Sequence, residues 1–331
     1  MSNVKVLFLG PYGTYSHQAA LQEFANCPNV EYIPSPSINN CFSILEDTDN
    51  YNIDYSVVPL ENSTNGQVVF SYDILRDKML NSSIDENSIA KISSKIEIVA
   101  EQYVSISHCL ISSLDIPSID GVIENYKSVV LYSHPQVWGQ IETFVADLRT
   151  KIKDISIVDT SSTSEAVTIA MKEQKSDNSR LHLSIASETA ATIHNAHIIK
   201  QKINDIKGNT TRFLILTRRN DPTIPKYIPP QNIIPTEKVS ILSFTINDDP
   251  GSLVDILTVL KKYSLNMCSI NSRPYNTNKL TSRKWQYVFF VEFHNINESI
   301  TDRESFYNEI DPQCIKWTIW GSFPRNERYY L

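Results

Sequence analysis

Val4-Lys5-Val6-Leu7-Phe8-Leu9-Gly10-Pro11-Tyr12-Gly13-Thr14-Tyr15-Ser16-His17-Gln18-Ala19-Ala20 stands near the start of the chain and decides how the rest is read. An apolar run ends on two glycines set around Pro11 and Tyr12, and an amphipathic stretch, His17 to Phe24, follows at once. Glycine is scarce, eight in 331 residues, so two this close mark a backbone asked for an unusual turn. The pattern is strand, tight turn, helix, and it recurs. Tyr55 to Val58 precedes Val68 to Leu75, Val129 to Leu131 precedes Val137 to Leu148, and Ile155 to Val158 precedes Glu165 to Glu173. Val- and Ile-rich runs alternating with amphipathic stretches predict βα units on mostly parallel sheet. Two such sets, before and after about residue 105, exceed what one short sheet needs, so the class is α/β with two lobes and a cleft between them.

Arg218 to Thr236 breaks the pattern. Pro222, Pro225, Pro229, Pro230 and Pro235 fall in a segment with neither helical nor strand period, which reads as a semi-rigid linker. Beyond it come strand (Val239 to Ile246), helix (Leu253 to Tyr263), strand (Met267 to Ser272), strand (Trp285 to Phe293), short helix (Asp302 to Asn308) and strand (Ile315 to Trp320). That βαββαβ order is ferredoxin-like. The expected division is a first unit over 1–217, a linker over 218–236 and a second unit over 237–331. Within the first unit, one lobe takes about 1–104 and 188–217 and the other about 105–187. Asn81 to Lys95, polar and rich in Ser and Asn, reads as a surface excursion.

Thirty Lys and Arg against thirty-seven Asp and Glu leave a net charge of −7, so no global positive field exists to hold nucleic acid or an anionic membrane. With 41% hydrophobic and 20% charged residues the composition is globular, and no apolar stretch approaches the roughly 20 residues that span a bilayer. Met1 to Lys5 runs straight into Val6-Leu7-Phe8-Leu9, which is neither a signal h-region nor an Arg-rich transit peptide; a cytoplasmic protein is expected. Cys27, Cys41, Cys109, Cys268 and Cys314 are odd in number, scattered and without CxxC spacing, so they read as reduced packing residues. His194 and His197 lack an acidic or Cys partner at ligand spacing, and no metal is expected.

Four strand ends lead into helices through hydroxyl- and amide-rich turns: Gly10 to Ser16, Pro59 to Gly66, Ser133-His134-Pro135-Gln136, and Asp159 to Glu165, where Ser162 and Glu165 have capping-box spacing. Each presents unpaired backbone N–H groups at the positive end of a helix dipole. In open α/β sheets these strand ends line the ligand crevice. The set suits a small carboxylate or phosphate, although any one turn alone is equally an ordinary helix cap. Gly10-Pro11-Tyr12-Gly13 lacks the third glycine of a dinucleotide fingerprint and no GxxxxGK[ST] occurs, so no nucleotide cofactor is expected. In Gly208-Asn209-Thr210-Thr211-Arg212-Phe213, ahead of the strand Leu214-Ile215-Leu216, Arg212 offers a bidentate fork for a carboxylate and Thr211 an uncharged hydroxyl. The same residues read equally as a turn entering a strand, with an exposed Arg.

These residues resemble the prephenate dehydratase family. The resemblance runs through Gly10 to Ala20, Val58-Pro59-Leu60-Glu61-Asn62-Ser63 with Gly66, Glu101 ahead of Ile106-Ser107-His108, and Ser133-His134-Pro135-Gln136. It continues through the Ser162-Thr163 turn, Ile185-Ala186-Ser187 and Asn209-Thr210-Thr211-Arg212-Phe213. The second unit is similar to the family's ACT domain in Asp249-Pro250-Gly251-Ser252-Leu253 and Asn271-Ser272-Arg273-Pro274, departing from it at Ser252 (commonly Ala) and Asn271 (commonly Glu).

The resemblance implies a monofunctional lyase with a periplasmic-binding-protein-like body and a C-terminal ACT domain. It would take prephenate to phenylpyruvate in phenylalanine biosynthesis without a cofactor. Thr211, Arg212 and Phe213 would be catalytic, Thr211 as donor to the leaving hydroxyl and Arg212 as clamp on the pyruvyl carboxylate. Thr14, Ser16, Asn62, Ser63, Ser162 and Thr163 would bind substrate. Glu61 reads as a proton acceptor or as a partner orienting Arg212, and His108 and His134 as structural or substrate contacts. Pro250, Gly251, Ser252, Leu253, Asn271, Ser272, Arg273 and Pro274 would hold phenylalanine as effector in a homodimer or tetramer. Arogenate dehydratase, acting on the aminated analogue, and a non-catalytic two-lobed sensor are the alternatives.

Overall fold

The computed structural model describes residues 3–83, 92, 94–276, 284–294 and 300–330. Along the chain, β1 (Val4–Leu9), α1 (Tyr15–Glu23), β2 (Val30–Ser35), α2 (Ile38–Glu46), β3 (Tyr55–Asn62), β4 (Gly66–Gln67), α3 (Val69–Asn81) and β5 (Ile96–Ser105) come first. Next are β6 (Cys109–Ser112), α4 (Ile119–Asn125), β7 (Ser128–Ser133), α5 (Pro135–Trp138), α6 (Glu142–Lys151), β8 (Asp154–Asp159), α7 (Thr163–Ser176), β9 (Leu181–Ala186), α8 (Glu188–Ile193) and β10 (His197–Lys200). The chain then returns through β11 (Thr210–Arg218) and ends in β12 (Ile233–Thr245), α9 (Ser252–Lys262), β13 (Asn266–Asn276), β14 (Trp285–His294), α10 (Ile300–Ile310) and β15 (Lys316–Asn326).

Three sheets result. The first has the order β2-β1-β3-β11-β5 with β4 on the side of β3, and β11 runs antiparallel to both of its neighbours. The second, β10-β6-β9-β7-β8, is parallel across β9-β7-β8 and antiparallel at β10-β6-β9. The third, β13-β14-β12-β15, is wholly antiparallel and has the ferredoxin-like strand order. The α/β two-lobed class holds. The return to the first lobe, expected at about 188, comes later: β10 pairs with β6, so α8 and β10 stay with the second sheet. Likewise β12 starts inside the expected linker, because Ile233 and Ile234 pair with Asn326 and Arg325. The helix expected over Val137 to Leu148 is two helices, parted near Gln140 and Ile141. Most of the Asn81 to Lys95 excursion lies outside the described residues.

One face of the third sheet carries α9 and α10 over Leu242, Phe244, Val291, Phe293 and Trp317. Its other face enters the core of the first lobe, where Ile241, Phe290, Trp320 and Phe323 pack with Leu7, Tyr72, Ile98 and Leu214. The approach is close enough that a Cβ on Gly321 would stand 1.9 Å from the carbonyl oxygen of Ile98. No helix among the described residues is long and apolar enough to cross a membrane.

Candidate active site

Between the first two sheets lies a cavity of about 1070 Å³. It forms where the parallel strands end: Leu9 and the Gly10–Ser16 turn after β1, Asn62 at the end of β3, His134 after β7, and Ser161 to Thr163 after β8 all line it. Three helices start there. Thr14 caps α1 by accepting from His17 N, His134 caps α5 by accepting from Gln136 N, and Ser162 caps α7 by accepting from Glu165 N at 3.1 Å. The capping box is displaced by one residue, since the Glu165 carboxylate receives Ser161 N at 3.1 Å, and Ser161 Oγ as well. No Lys or Arg lines the cavity among the described residues, and Glu165, already engaged, is its one acidic group. Its electrostatics are therefore those of helix N-termini and neutral donors.

The two lobes touch beside the first turn. Gly13 has φ +85, and a Cβ there would stand 2.6 Å from Ser164 Oγ and 3.0 Å from Ala190 Cα. Ser164 Oγ donates to Tyr12 O, and Ser187 Oγ donates to Gly13 O at 3.0 Å. The scarce glycine is spent where one lobe's backbone approaches the other.

Thr211 and Phe213 both line the cavity, on one face of β11, with Phe213 buried in its wall. Asn62 Nδ2 donates to Thr211 Oγ1 at 2.9 Å and to Asn209 Oδ1 at 2.7 Å, and Asn209 Nδ2 donates to Gln140 Oε1 at 2.9 Å. The orientation of the Asn62 amide is fixed because its Oδ1 accepts from Thr64 N and Asn65 N. Because the Asn62 amide supplies a proton to Thr211 Oγ1, the threonine hydroxyl keeps its own proton for an acceptor in the cavity. His108 Nε2 donates to Gln140 Oε1 at 3.0 Å, while Nδ1 lies 3.0 Å from Tyr15 Oη. Burial lowers the pKa of His108 against the opposing bond from Gln140, so the ring is neutral and both nitrogens are occupied. His134 is likewise lowered by burial, opposed by Asp159.

Several expected site residues lie elsewhere. Arg212 follows Thr211 on a strand, so its side chain leaves from the opposite face. It is 3% exposed and does not line the cavity. Its guanidinium meets Glu292 bidentately at 2.8 and 2.8 Å, Glu101 at 2.8 Å and Glu61 at 3.0 Å. Burial would lower the pKa of Arg212, and the carboxylates of Glu292 and Glu101 together raise it well above the usual value. Buried among three carboxylates and off the cavity, Arg212 is not placed to clamp a substrate carboxylate, contrary to the expectation from the sequence. Ser63 is also off the cavity; its Oγ accepts from Thr210 N at 3.0 Å and steadies the 208–210 turn. Thr14, Ser16, Asn62, Ser162 and Thr163 do line the cavity. Tyr15 and Gln140 also line the cavity, and Asn209, off its wall, joins Asn62 to Gln140; an amide in a turn carries no sequence pattern that separates a relay from a cap, and Tyr15 reads only as the first residue of a helix.

The effector set is divided. Gly251, with φ +97, and Leu253 border a small cavity of about 190 Å³ with Asn247, Tyr287 and Phe289. Asn271 and Arg273 instead face α3: Asn271 Nδ2 donates to Tyr72 Oη at 2.9 Å and Arg273 Nε to Asp73 Oδ1 at 2.7 Å.

Two α/β lobes closing on a cavity of neutral donors and helix N-termini define a protein built to bind a small organic anion. Comparison with known proteins narrows this. A sequence model of the prephenate dehydratase family matches residues 6–221. A probable prephenate dehydratase of Saccharomyces cerevisiae is 48% identical, with 99% of this chain and 98% of that protein covered. Among solved structures, a prephenate dehydratase from Arthrobacter aurescens in complex with L-Phe superposes with a TM-score of 0.69 at 21% identity, over 97% of this chain and 90% of that one. GqqA, described as a quorum quenching acylase, superposes at 0.70 and 21% identity over 98% and 99%, a likeness of fold alone. The chain belongs to the prephenate dehydratase family, and its activity is the lyase activity of that family.

Proposed function

We propose that prephenate loses water and CO2 in the cavity between the lobes, with Thr211 as hydrogen-bond donor to the departing ring oxygen. The carbon–carbon bond to the ring carboxylate breaks and its electron pair enters the ring. The carbon–oxygen bond across the ring breaks, and the leaving hydroxide is neutralised by a proton from the medium. A threonine hydroxyl is too weak an acid to lose its proton outright, so its contribution is a bond that strengthens as charge grows on the oxygen in a low-dielectric site. The observation that carries this reading is Asn62 Nδ2 on Thr211 Oγ1 at 2.9 Å, which turns the hydroxyl proton outward.

The N-terminal turns of α1 and α7, with Thr14, Ser16, Ser162 and Thr163, receive the substrate carboxylates. A site that meets the ring carboxylate with neutral donors rather than a fixed cation does not hold back its departure as neutral CO2. The single, engaged acidic group also favours the keto acid over its amino analogue arogenate, whose ammonium calls for a carboxylate partner. Phenylalanine acts as effector at the ACT-like third sheet, its carboxylate on the α9 N-terminus and its ring beside Tyr287 and Phe289, in a homodimer. Support comes from the small cavity there and from the L-Phe complex of the Arthrobacter protein.

Purified protein assayed on prephenate and arogenate, with and without phenylalanine, tests the whole reading. Prephenate turnover should dominate, added phenylalanine should lower it, and Thr211→Val should cut kcat by about 10²–10⁴-fold with KM nearly unchanged. Turnover by Thr211→Val at the wild-type rate would falsify the donor role.

A further inference from the structure

Glu292 lies on β14 in the third sheet, yet its carboxylate is 3% exposed and gives both oxygens to Arg212 of the first lobe. We propose that Glu292 is a positioning residue for the reaction: by gripping Arg212 behind the first sheet, it fixes where β11 presents Thr211 to the cavity. The inference rests on Thr211 being the donor.

Three observations support it. Arg212 and Thr211 are adjacent on one strand with side chains on opposite faces, so a displacement of one moves the other. The ladder between β11 and β3 shifts register between Arg212 and Phe213, where Leu60 of β3 is the extra residue, so on that side the pairing beside Thr211 is irregular and the grip on Arg212 adds to what the β5 ladder supplies. The remaining partners of Arg212 are shared or peripheral. Glu101 is also held by Arg325 at 2.9 Å and by Asn326 N at 3.0 Å, and the Glu61 side chain is 36% exposed. Arg212, Arg325, Glu101 and Glu292 thus form a buried, charge-balanced set joining β5 and β11 to β14 and β15.

The test is steady-state kinetics on Glu292→Gln, which keeps the shape and removes the charge. The expected result is a fall in kcat of about tenfold to a hundredfold with KM within about twofold, the cost of a reacting group held slightly out of place. Asp73→Asn, which breaks the Arg273 contact between the same two units, should keep kcat within about twofold. In a cycle with Arg212→Met, the double variant should be no slower than Arg212→Met alone, since Glu292 acts through Arg212. Wild-type kcat in folded Glu292→Gln, an equal loss in Asp73→Asn, or additive losses in the cycle would each overturn the proposal. Should Glu292→Gln not fold, Glu292→Asp carries the same test, with a smaller loss of kcat at constant KM expected and wild-type kcat overturning it. If Thr211→Val remains active, the donor reading has failed; if Thr211→Val is inactive and Glu292→Gln is not impaired, only the present inference has.

Discussion

Glu23, at the end of α1, is fully buried, accepting from Gln102 Nε2 at 2.9 Å and from the Tyr227 hydroxyl. Burial pushes its carboxyl up to about 8, against both hydrogen bonds. Between the ordinary carboxylate range and 8, the folded protein keeps a proton that the unfolded chain has lost, so stability falls as pH rises through that window. His17 works in the opposite sense at lower pH: burial lowers its pKa to about 4, and the stability it supports is lost as pH falls below about 6.5. Other wholly or partly buried histidines (His108, His134, His194 and His294) are lowered as His17 is, and add stability as pH rises from 6.5, so Glu23 is read from the difference between two proteins. Between pH 6.5 and 8, urea denaturation should show the wild type losing about 1.5 kcal/mol more, or gaining that much less, than Glu23→Gln. Parallel profiles for the two proteins would show that Glu23 is ionised in the folded state. Neither Glu23 nor Glu292 stands out in the sequence, because a carboxylate's burial depends on which distant strand comes to cover it. Thr211 was legible as a hydroxyl beside a strand. The side on which Arg212 would leave was not, since that required the register of β11.

At the scale of elements, the βα units, the helix caps at Thr14 and Ser162 and the βαββαβ order could be read from spacing and period. The position of β11 could not. Its run of Phe213 to Leu216 reads as a strand, but its insertion between β3 and β5, antiparallel to both, is a long-range pairing with no local signal. Gly321 is similar: nothing near it in sequence announces that β15 crosses β5 with no room for a side chain. Gly321→Ala must push the third sheet off the first or bend β15, and should destabilise the protein by about 3 kcal/mol. Chemical denaturation measures this, and an unchanged midpoint would mean the sheets part easily.

The whole molecule is less modular than its prolines suggest. The third sheet shares a hydrophobic core with the first lobe and supplies two members of its buried charge set. Ending the chain at residue 232 would uncover Tyr72, Ile98 and Leu214 and strip Arg212 of its bidentate partner Glu292 and Glu101 of Arg325. Such a truncated chain should be insoluble or inactive when expressed; a soluble, fully active product would show that the first two lobes stand alone.

The placement of β11 also bears on how the protein comes into being. As the chain leaves the ribosome, β3 and β5 emerge early but have no common partner until residues 210–218 follow, after the entire second sheet. Until then each offers an open edge on which another nascent chain can add a strand. The strand that closes this gap also carries Thr211, so the hydroxyl assigned to the reaction is delivered by the segment that completes the first sheet.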